Sequence, residues 1–172
     1  MSRQKVTGFT LLELMVIIAI LAILITLALP SFQSTLRSNR VATTSNELLA
    51  SLSLARSEGI RSTKGGGVCT SVNGTACGGG WNDGWMVWTE SNGNGIFDGA
   101  DTDTVTRFSA GRQQLELAGT ANAIAFDGRG RRIAGSSEDR IRIVPKGVAE
   151  PARCIQVSVT GQVRMNKQQA CL

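Results

Sequence analysis

The chain has 172 residues, a length that suits about one compact domain, and its net charge of +5 permits an anionic partner without requiring one. Hydrophobic residues make up 42% of the chain and charged residues 18%, a balance that excludes an intrinsically disordered protein and a membrane protein with several spans. Histidine and tyrosine are both absent, so Ser-His-Asp, Cys-His and histidine–zinc chemistry are excluded and an enzyme is the less favoured class.

The amino-terminal region has the pattern of a membrane span. A polar stretch that includes Arg3 and Lys5 precedes an almost wholly apolar run, residues 9–29, in which Glu13 is the only charged residue. As a helix with a rise of about 1.5 Å per residue the run is about 31 Å long, which matches the hydrocarbon core of a bilayer. The two basic residues before it predict a cytoplasmic amino terminus. We therefore expect the remainder of the chain to lie outside the cytoplasm.

A secretory signal peptide or a simple signal anchor is the plainest interpretation of this segment, but three features argue against it. The apolar run exceeds the about 7–15 residues of a signal peptide, and no Ala-x-Ala cleavage site follows Leu29. Glu13 would be a carboxylate in hydrocarbon, which costs about 2.5–3.5 kcal/mol and requires a partner. Pro30 is followed by residues that still have a helical pattern.

The residues around Gly8 resemble a processing site. The run Gly8-Phe9-Thr10-Leu11-Leu12-Glu13 is similar to the prepilin peptidase site of type IV pilins and type II secretion pseudopilins. The resemblance implies that residues 1–8 form a leader peptide, that cleavage falls between Gly8 and Phe9, and that Phe9 becomes a methylated amino terminus. It also implies a partner for Glu13, because the cationic amine of Phe9, on the same or a neighbouring subunit, would form an assembly salt bridge with it in the apolar core of a filament.

Apolar residues continue beyond Pro30 at helical spacing, which predicts an amphipathic helix over residues 30–61. No further proline interrupts it, so we expect Pro30 to kink the long helix rather than end it. Residues 46–60 are similar to the helix of GspH/FimT-type minor pilins, with matches at Leu48, Leu52, Ala55, Arg56, Ser57 and Glu58. We interpret these matches as core packing with Arg56 and Glu58 exposed, and we interpret Gly59 as the place where the helix frays.

Beyond Lys64 the pattern changes to short alternating runs that are typical of strands. Asp127-Gly128 and Thr160-Gly161 lie between neighbouring runs and predict hairpin turns. The predicted fold class is α+β: a long amino-terminal helix, with a transmembrane half and an amphipathic half, packed on a pilin-like antiparallel sheet of about six strands within a periplasmic domain at residues 62–172. The six predicted strands cover residues 85–89, 105–108, 124–126, 140–144, 154–159 and 162–165.

Four cysteines suit an oxidising compartment, in agreement with the expected location outside the cytoplasm. They allow three pairings, and closeness in sequence favours Cys69 with Cys77 and Cys154 with Cys171. The second pair would close a carboxyl-terminal hairpin, as in many type IV pilins. A metal site on Cys69 and Cys77 is disfavoured because the chain has no histidine.

Residues 90–103 gather acidic and amide side chains in a way that is weakly similar to a calcium loop. The run lacks the Asp-x-Asp-x-Asp spacing and the closing glutamate of an EF-hand. Similar Asn-Gly-rich turns also connect strands in the family that the chain resembles. We therefore predict a solvated turn here, and neither a metal nor a cofactor.

Charge is distributed unevenly along the chain, because residues 9–106 hold five basic and eight acidic residues whereas residues 107–172 hold eleven and five. Glycines flank the arginines of residues 128–132 and would let a backbone approach a phosphate closely. FimT-like pilins that take up DNA carry a Gly-Arg-x-Arg motif, of which Gly161-Gln162-Val163-Arg164 retains only the second arginine. The candidate DNA-binding residues are Arg129, Arg131, Arg132, Arg164 and Lys167.

The resemblance implies a non-enzymatic minor pilin or pseudopilin in the inner membrane, polymerised into a type IV pilus or a type II secretion pseudopilus. Its partners would be other pilins or pseudopilins, the prepilin peptidase and the membrane. The alternative is a FimT-like tip pilin that binds DNA for uptake in natural transformation. A membrane-anchored hydrolase is disfavoured because no nucleophile has a plausible base. The sequence leaves the choice between pilus and secretion system open.

Overall fold

The structure, a computed structural model, describes residues 8–133, 137–167 and 171 and divides into two compact units. The first unit ends at Arg37 and the second begins at Ser38. Helix α1 (Leu11–Ser62) contributes residues to both units, and the predicted α+β class with a long amino-terminal helix is confirmed. Nine strands follow within the described residues: β1 (Gly66–Thr70), β2 (Gly84–Thr89), β3 (Thr104–Ala110), β4 (Leu115–Gly119), β5 (Ala123–Phe126), β6 (Arg132–Ile133), β7 (Asp139–Pro145), β8 (Arg153–Val157) and β9 (Val163–Asn166).

Pro30 lies inside α1, which continues for about nine turns beyond it, so the proline does not end the helix. A proline in a helix interior removes one backbone hydrogen bond. Nearby hydroxyl groups bond to the backbone of their own helix, since Ser34 and Thr35 both donate to the carbonyl of Ser31 at 2.9 and 3.1 Å. The kink that the sequence predicts at Pro30 stays a prediction.

The second unit contains two antiparallel sheets rather than the single sheet of about six strands that the sequence predicts. One sheet has the order β3-β2-β1-β5-β6 and the other has the order β4-β7-β8-β9. The two predicted hairpin turns are present, between β5 and β6 and between β8 and β9. The prediction missed β1, β4 and β6. β1 begins with two glycines and β6 has only two residues, so neither shows an alternating pattern.

One hydrophobic core joins the carboxyl-terminal half of α1 to both sheets. Leu48 and Leu52 of the helix pack with Trp85 of the first sheet and with Ile143 and Ile155 of the second, and all five side chains are fully buried. The indole nitrogen of Trp85 donates to the hydroxyl of Ser51 on the helix at 3.0 Å. The buried helix residues recur at intervals of three and four, as an amphipathic helix requires: Val41, Thr44, Ser45, Leu48, Ser51, Leu52, Ala55 and Gly59.

Gly59 does not mark a frayed end, because α1 continues to Ser62. Gly59 is buried, and a Cβ added there would lie 3.0 Å from the carbonyl carbon of Gly65 and 3.1 Å from the nitrogen of Gly66. That spacing is tighter than side chains normally tolerate. The glycine therefore allows the start of β1 to lie directly against the helix, and this close packing outweighs the low helix propensity of glycine.

Arg56 and Glu58 are both half-buried, contrary to the expectation that they are exposed. Arg56 hydrogen-bonds to two turns. Its Nε donates to the carbonyl of Gly130 at 2.8 Å, and its Nη2 donates to the carbonyl of Thr160 at 3.5 Å. The first carbonyl belongs to the β5–β6 turn and the second to the β8–β9 turn. A Cβ added at Gly161 would overlap the carbonyl oxygen of Gly130, so the two turns pack backbone against backbone beside the guanidinium.

Two disulfides and one ion pair add further links within the second unit. The disulfides join Cys69 to Cys77 and Cys154 to Cys171, which are the pairs that closeness in sequence favours. Glu47 of α1 accepts a hydrogen bond from Ser109 at 2.8 Å and forms an ion pair with Arg112 at 2.6 Å. Burial acts to raise the pKa of Glu47, but the hydrogen bonds and the positive charge of Arg112 outweigh it and hold the pKa below its ordinary value.

We expect Gly161→Ala to lower the free energy of unfolding more than Gly147→Ala does. Both glycines have a positive φ, 78° and 72°, so alanine costs about 1 kcal/mol of backbone strain at either site. Only at Gly161 does the new methyl group meet another backbone, which adds about 1–3 kcal/mol, whereas Gly147 faces open space. Urea titration of the full chain in mild detergent, followed by tryptophan fluorescence, measures the difference. Equal losses for the two variants would contradict the packing of the two turns.

Candidate functional site

The first unit presents a continuous apolar surface. Every large hydrophobic side chain from Phe9 to Leu29 is at least 41% exposed. By length and composition α1 is able to cross a membrane. An apolar surface of this extent requires a covering of lipid or of other apolar helices, because monomeric soluble proteins rarely expose one.

Glu13 and the residues before it lie at the exposed start of the helix. Gly8, Phe9 and Thr10 precede α1 and are exposed. The backbone nitrogen of Glu13 donates to the hydroxyl of Thr10 at 3.2 Å, and the nitrogen of Leu14 donates to the carbonyl of Thr10 at the same distance. Within the described part of the chain the carboxylate of Glu13 has no ion-pair partner. Of the leader predicted for residues 1–8, only Gly8 lies within the described residues.

Arg132 is not available to a phosphate, which corrects its assignment as a DNA-binding candidate. Its side chain is only 5% exposed and forms an ion pair with Asp139 at 2.6 Å. Arg131 is exposed but bonds to Asp127, whose carboxylate also accepts the backbone nitrogens of Arg129 and Arg131 at 2.9 and 2.8 Å. Burial acts to raise the pKa of Asp127, and these hydrogen bonds outweigh it and lower that pKa. Arg129 is exposed.

The glycines of the 128–132 segment serve packing against the helix end rather than access to phosphate. A Cβ added at Gly128 would overlap the carbonyl of Thr63, and one added at Gly130 would meet Ile60 and Arg56. Gly130 also has a φ of 73°, which favours glycine. The interpretation of these glycines as a means of close phosphate approach is therefore wrong.

The second sheet carries a different set of basic residues on its outer surface, which we call the arginine face and define as Arg140, Arg142 and Arg164. The strand register aligns Arg140 of β7 with Gln156 of β8 and aligns Gln156 with Arg164 of β9, so these three residues form one row across the sheet. Arg142 lies two residues along β7, on the same side. The neighbours that alternate with them belong to the core, for example Ile141, Ile155 and Met165.

The arginine face has few internal partners. Arg164 donates to Gln162 at 2.7 Å, and Arg140 lies 3.6 Å from the exposed carboxylate of Glu138. The buried Nε of Arg142 has no hydrogen-bond partner in the described part of the chain. Sequence reasoning found Arg164 and missed the other two. The alternation Arg140-Ile-Arg-Ile-Val could have indicated that both arginines share the outer side of a strand, but it could not align them with Arg164. Lys167, also a sequence candidate, is exposed just beyond β9.

In the acidic loop between β2 and β3, two carboxylates accept hydrogen bonds from donors of the same loop. The Oδ2 of Asp98 accepts hydrogen bonds from the amide groups of Asn92 and Asn94, both at 2.6 Å. The carboxylate of Asp103 accepts the backbone nitrogens of Ser91 and Asp98 at 3.0 and 2.9 Å. Among the described residues no group of three or more acidic, cysteine or histidine side chains is arranged to hold a metal ion.

Comparison with known proteins identifies the family. The family model described as "Type II transport protein GspH" matches residues 44–161, which is more than half of the chain. The chain belongs to the GspH family. A second model, the prokaryotic N-terminal methylation motif, matches residues 3–29 and so includes the predicted processing site. No curated protein matches the chain.

Two solved structures share the fold of this GspH-family chain. Both are crystal structures of the type IV minor pilin FimU from Pseudomonas aeruginosa strain PAO1. The first has a TM-score of 0.58 and 17% identity and covers 75% of this chain and 90% of FimU. The second has a TM-score of 0.55 and 17% identity, with coverage of 73% and 91%. At this identity the likeness concerns the fold alone, and it confirms the predicted pilin-like architecture.

The family confirms the general class of function that the sequence predicts. The chain is a type IV pilin-like minor pilin or pseudopilin, and the pilin and pseudopilin families consist of structural subunits that catalyse no reaction. The prediction that this chain is not an enzyme is therefore confirmed. The methylation motif and the apolar helix fit a pilin that is anchored in a membrane.

We expect Arg132→Ala to destabilise the fold, whereas Arg131→Ala has little effect. Removal of the Arg132 guanidinium leaves Asp139 as a buried and unpaired carboxylate, which costs about 3 kcal/mol. The ion pair of Arg131 with Asp127 is exposed, so its loss costs less than about 1 kcal/mol. The unfolding free energies of the two full-length variants in detergent test this. If Arg132→Ala lowered the free energy of unfolding only slightly, the result would contradict the buried ion pair, and Arg132 would again be a candidate for DNA binding.

Proposed function

We propose that this minor pilin or pseudopilin is inserted in the inner membrane through residues 9–29, with its carboxyl-terminal domain in the periplasm, and is incorporated into an extracytoplasmic filament. The observation that carries the proposal is the exposed apolar surface of the first unit, together with the methylation motif that matches the same residues. A lipid bilayer covers such a surface before assembly and the apolar helices of neighbouring subunits cover it afterwards.

Processing by a prepilin peptidase prepares the subunit for assembly in this proposal. Hydrolysis of the peptide bond between Gly8 and Phe9 releases the leader and leaves an ammonium group on Phe9. The ammonium then loses a proton, and the neutral amine takes a methyl group from a sulfonium donor, which leaves as a thioether; the secondary amine that results takes up a proton and is again a cation. The exposed, non-helical position of both residues is compatible with access by a protease.

Glu13 supplies specificity to assembly. Helices in lipid gain little by leaving one apolar medium for another, so polar contacts between them decide which neighbours associate. A carboxylate in such surroundings is costly unless a cation neutralises it. Cleavage creates such a cation, the ammonium of Phe9. It would lie close to Glu13 of the same subunit or of a neighbour. This salt bridge is available only to processed subunits.

The filament is either a type IV pilus or a type II secretion pseudopilus. The matched family model is named for type II transport, whereas the structures that share the fold are of a type IV minor pilin. Both kinds of filament require the same apolar helix and the same processing. Other pilins or pseudopilins and the prepilin peptidase are therefore the proposed partners in either case.

Glu13→Gln tests the proposed assembly. The substitution keeps the size of the side chain but leaves the ammonium of Phe9 without its counter-ion, so incorporation into sheared filaments should fall about tenfold or more, which corresponds to about 1.4 kcal/mol or more. Immunoblots of the filament and membrane fractions measure the ratio. Glu58→Gln is the matched control, because it removes a half-buried carboxylate of the same helix whose ion pair, among the described residues, is with Arg61. Undiminished incorporation of the Glu13 variant would contradict the proposal.

DNA binding is a second candidate function, and the arginine face favours it. Arginine side chains neutralise phosphates, and a row across a sheet suits an extended polyanion better than an isolated side chain does. The exposed Arg140 and Arg164 lie in one such row, with a glutamine between them. In this alternative the filament subunit captures DNA for uptake.

Arg140→Gln with Arg164→Gln should weaken DNA binding and reduce its salt dependence. Each lost phosphate contact lowers the slope of log affinity against log salt by about 0.9 for duplex DNA, so the double variant loses about 2 from that slope. Arg61→Gln with Arg107→Gln removes the same charge from exposed positions elsewhere and is the control. Fluorescence anisotropy of the full chain in detergent, over a salt series, measures both. Equal slopes for the two double variants would exclude the arginine face.

A further inference from the structure

We infer that Thr10 is a positioning residue for removal of the leader, because its hydroxyl caps α1 and holds the Gly8–Phe9 peptide bond outside the helix. The inference rests on the proposed processing at that bond. Thr10 accepts the backbone N–H of Glu13 through its hydroxyl and the N–H of Leu14 through its carbonyl, both at 3.2 Å. These two bonds define the N-cap residue of a helix, and α1 accordingly begins at Leu11.

The apolar composition of the segment that follows Thr10 explains why a cap is needed to fix where the helix begins. Leucine, isoleucine and alanine dominate residues 11–29, and backbone groups in apolar surroundings require hydrogen bonds that the helix supplies. Without the hydroxyl of Thr10, the free N–H of Glu13 loses its side-chain acceptor in the first turn of the helix. The nearest upstream side chain that can cap a helix is that of Thr7, which would move the helix start by three residues and include the Gly8–Phe9 bond in the first turn.

A helical peptide bond is a poor substrate for hydrolysis. In the reaction water adds to the carbonyl carbon of Gly8, the bond to the nitrogen of Phe9 breaks, Gly8 leaves as a carboxylate, and Phe9 takes up a proton to become an ammonium. In a longer helix the Gly8 carbonyl would accept the N–H of Leu12 and lie in the hydrogen-bonded ladder. Within residues 8–133 no backbone hydrogen bond reaches that carbonyl, so it is free for a peptidase to bind.

The same cap explains how Glu13 is accommodated before cleavage, when the nitrogen of Phe9 is still a neutral amide. Thr10 and Glu13 have the Ser/Thr-x-x-Glu spacing of a capping box. The carboxylate therefore lies in the first turn, where the free N–H groups of the helix favour a negative charge. After cleavage the ammonium of Phe9 arises one residue before the cap and supplies a full positive charge at the same end of the helix.

The test compares three full-length precursors in membrane vesicles with a prepilin peptidase. Thr10→Val keeps the branched shape but removes the acceptor, Thr10→Ser keeps the acceptor, and Thr26→Val removes a hydroxyl that bonds to the carbonyl of Ile23 at 2.7 Å deeper in the same helix. Initial rates give KM and kcat, and mass spectrometry of the product identifies the cleaved bond. We expect Thr10→Val to raise KM about fivefold, the size that loss of a helix cap produces, with kcat less affected. Thr10→Ser and Thr26→Val should match the wild type.

Two results would overturn the inference while leaving the proposed function intact. One is a Thr10→Val precursor that is cleaved with the KM of the wild type. The other is an equal rise in KM for Thr10→Ser and Thr10→Val, which would indicate that the peptidase recognises the threonine itself rather than the capped helix. A wild-type precursor that is not cleaved between Gly8 and Phe9 would overturn both the inference and the proposed processing.

Discussion

The guanidinium of Arg56 hydrogen-bonds to one turn of each sheet, so a single side chain of the helix constrains how the two sheets meet beside it. The two turns approach closely enough only because Gly130 and Gly161 have no side chains. The helix supplies the arginine, and each sheet supplies one backbone carbonyl that accepts from it. Loss of any one of these groups leaves the other two without the packing that positions them, so we expect their energetic effects to be coupled rather than additive.

The first unit differs in this respect, because within the described part of the chain its apolar side chains are exposed and contact little else. Its apolar surface is equally satisfied by lipid and by neighbouring apolar helices, so hydrophobicity alone cannot direct it from membrane to filament. The transfer of the subunit from the membrane to the filament must therefore depend on groups that differ between the membrane-inserted and the assembled subunit. Under the proposed processing, Glu13 and the nitrogen of Phe9 form such a pair, because cleavage would change the nitrogen from a neutral amide to an ammonium. In our proposal the chemistry of processing is therefore also the switch for assembly.

Local pattern was sufficient to predict the long helix, the hairpin turns and the more obvious strands, because each depends on the residues of one short segment. Features that depend on long-range contacts could not be predicted. Arg132 and Arg140 look alike in the sequence, yet Asp139 pairs with Arg132 inside the fold while Arg140 faces outward. The division into two sheets was missed because β1 is rich in glycine, and its pairing with β2 and β5 appears only once the chain is folded.

Gly161 and Arg164 belong to the same partial motif but have different roles in the structure. Gly161 and Arg164 match part of a DNA-binding motif, but the structure requires the glycine for its positive φ and for contact with Gly130, whether or not DNA is bound. The glycine therefore carries no information about a nucleic-acid partner. Arg164 is exposed, so its guanidinium is accessible to a partner outside the fold. The alignment of Arg164 with Arg140, rather than the motif itself, is thus the argument for a polyanionic partner.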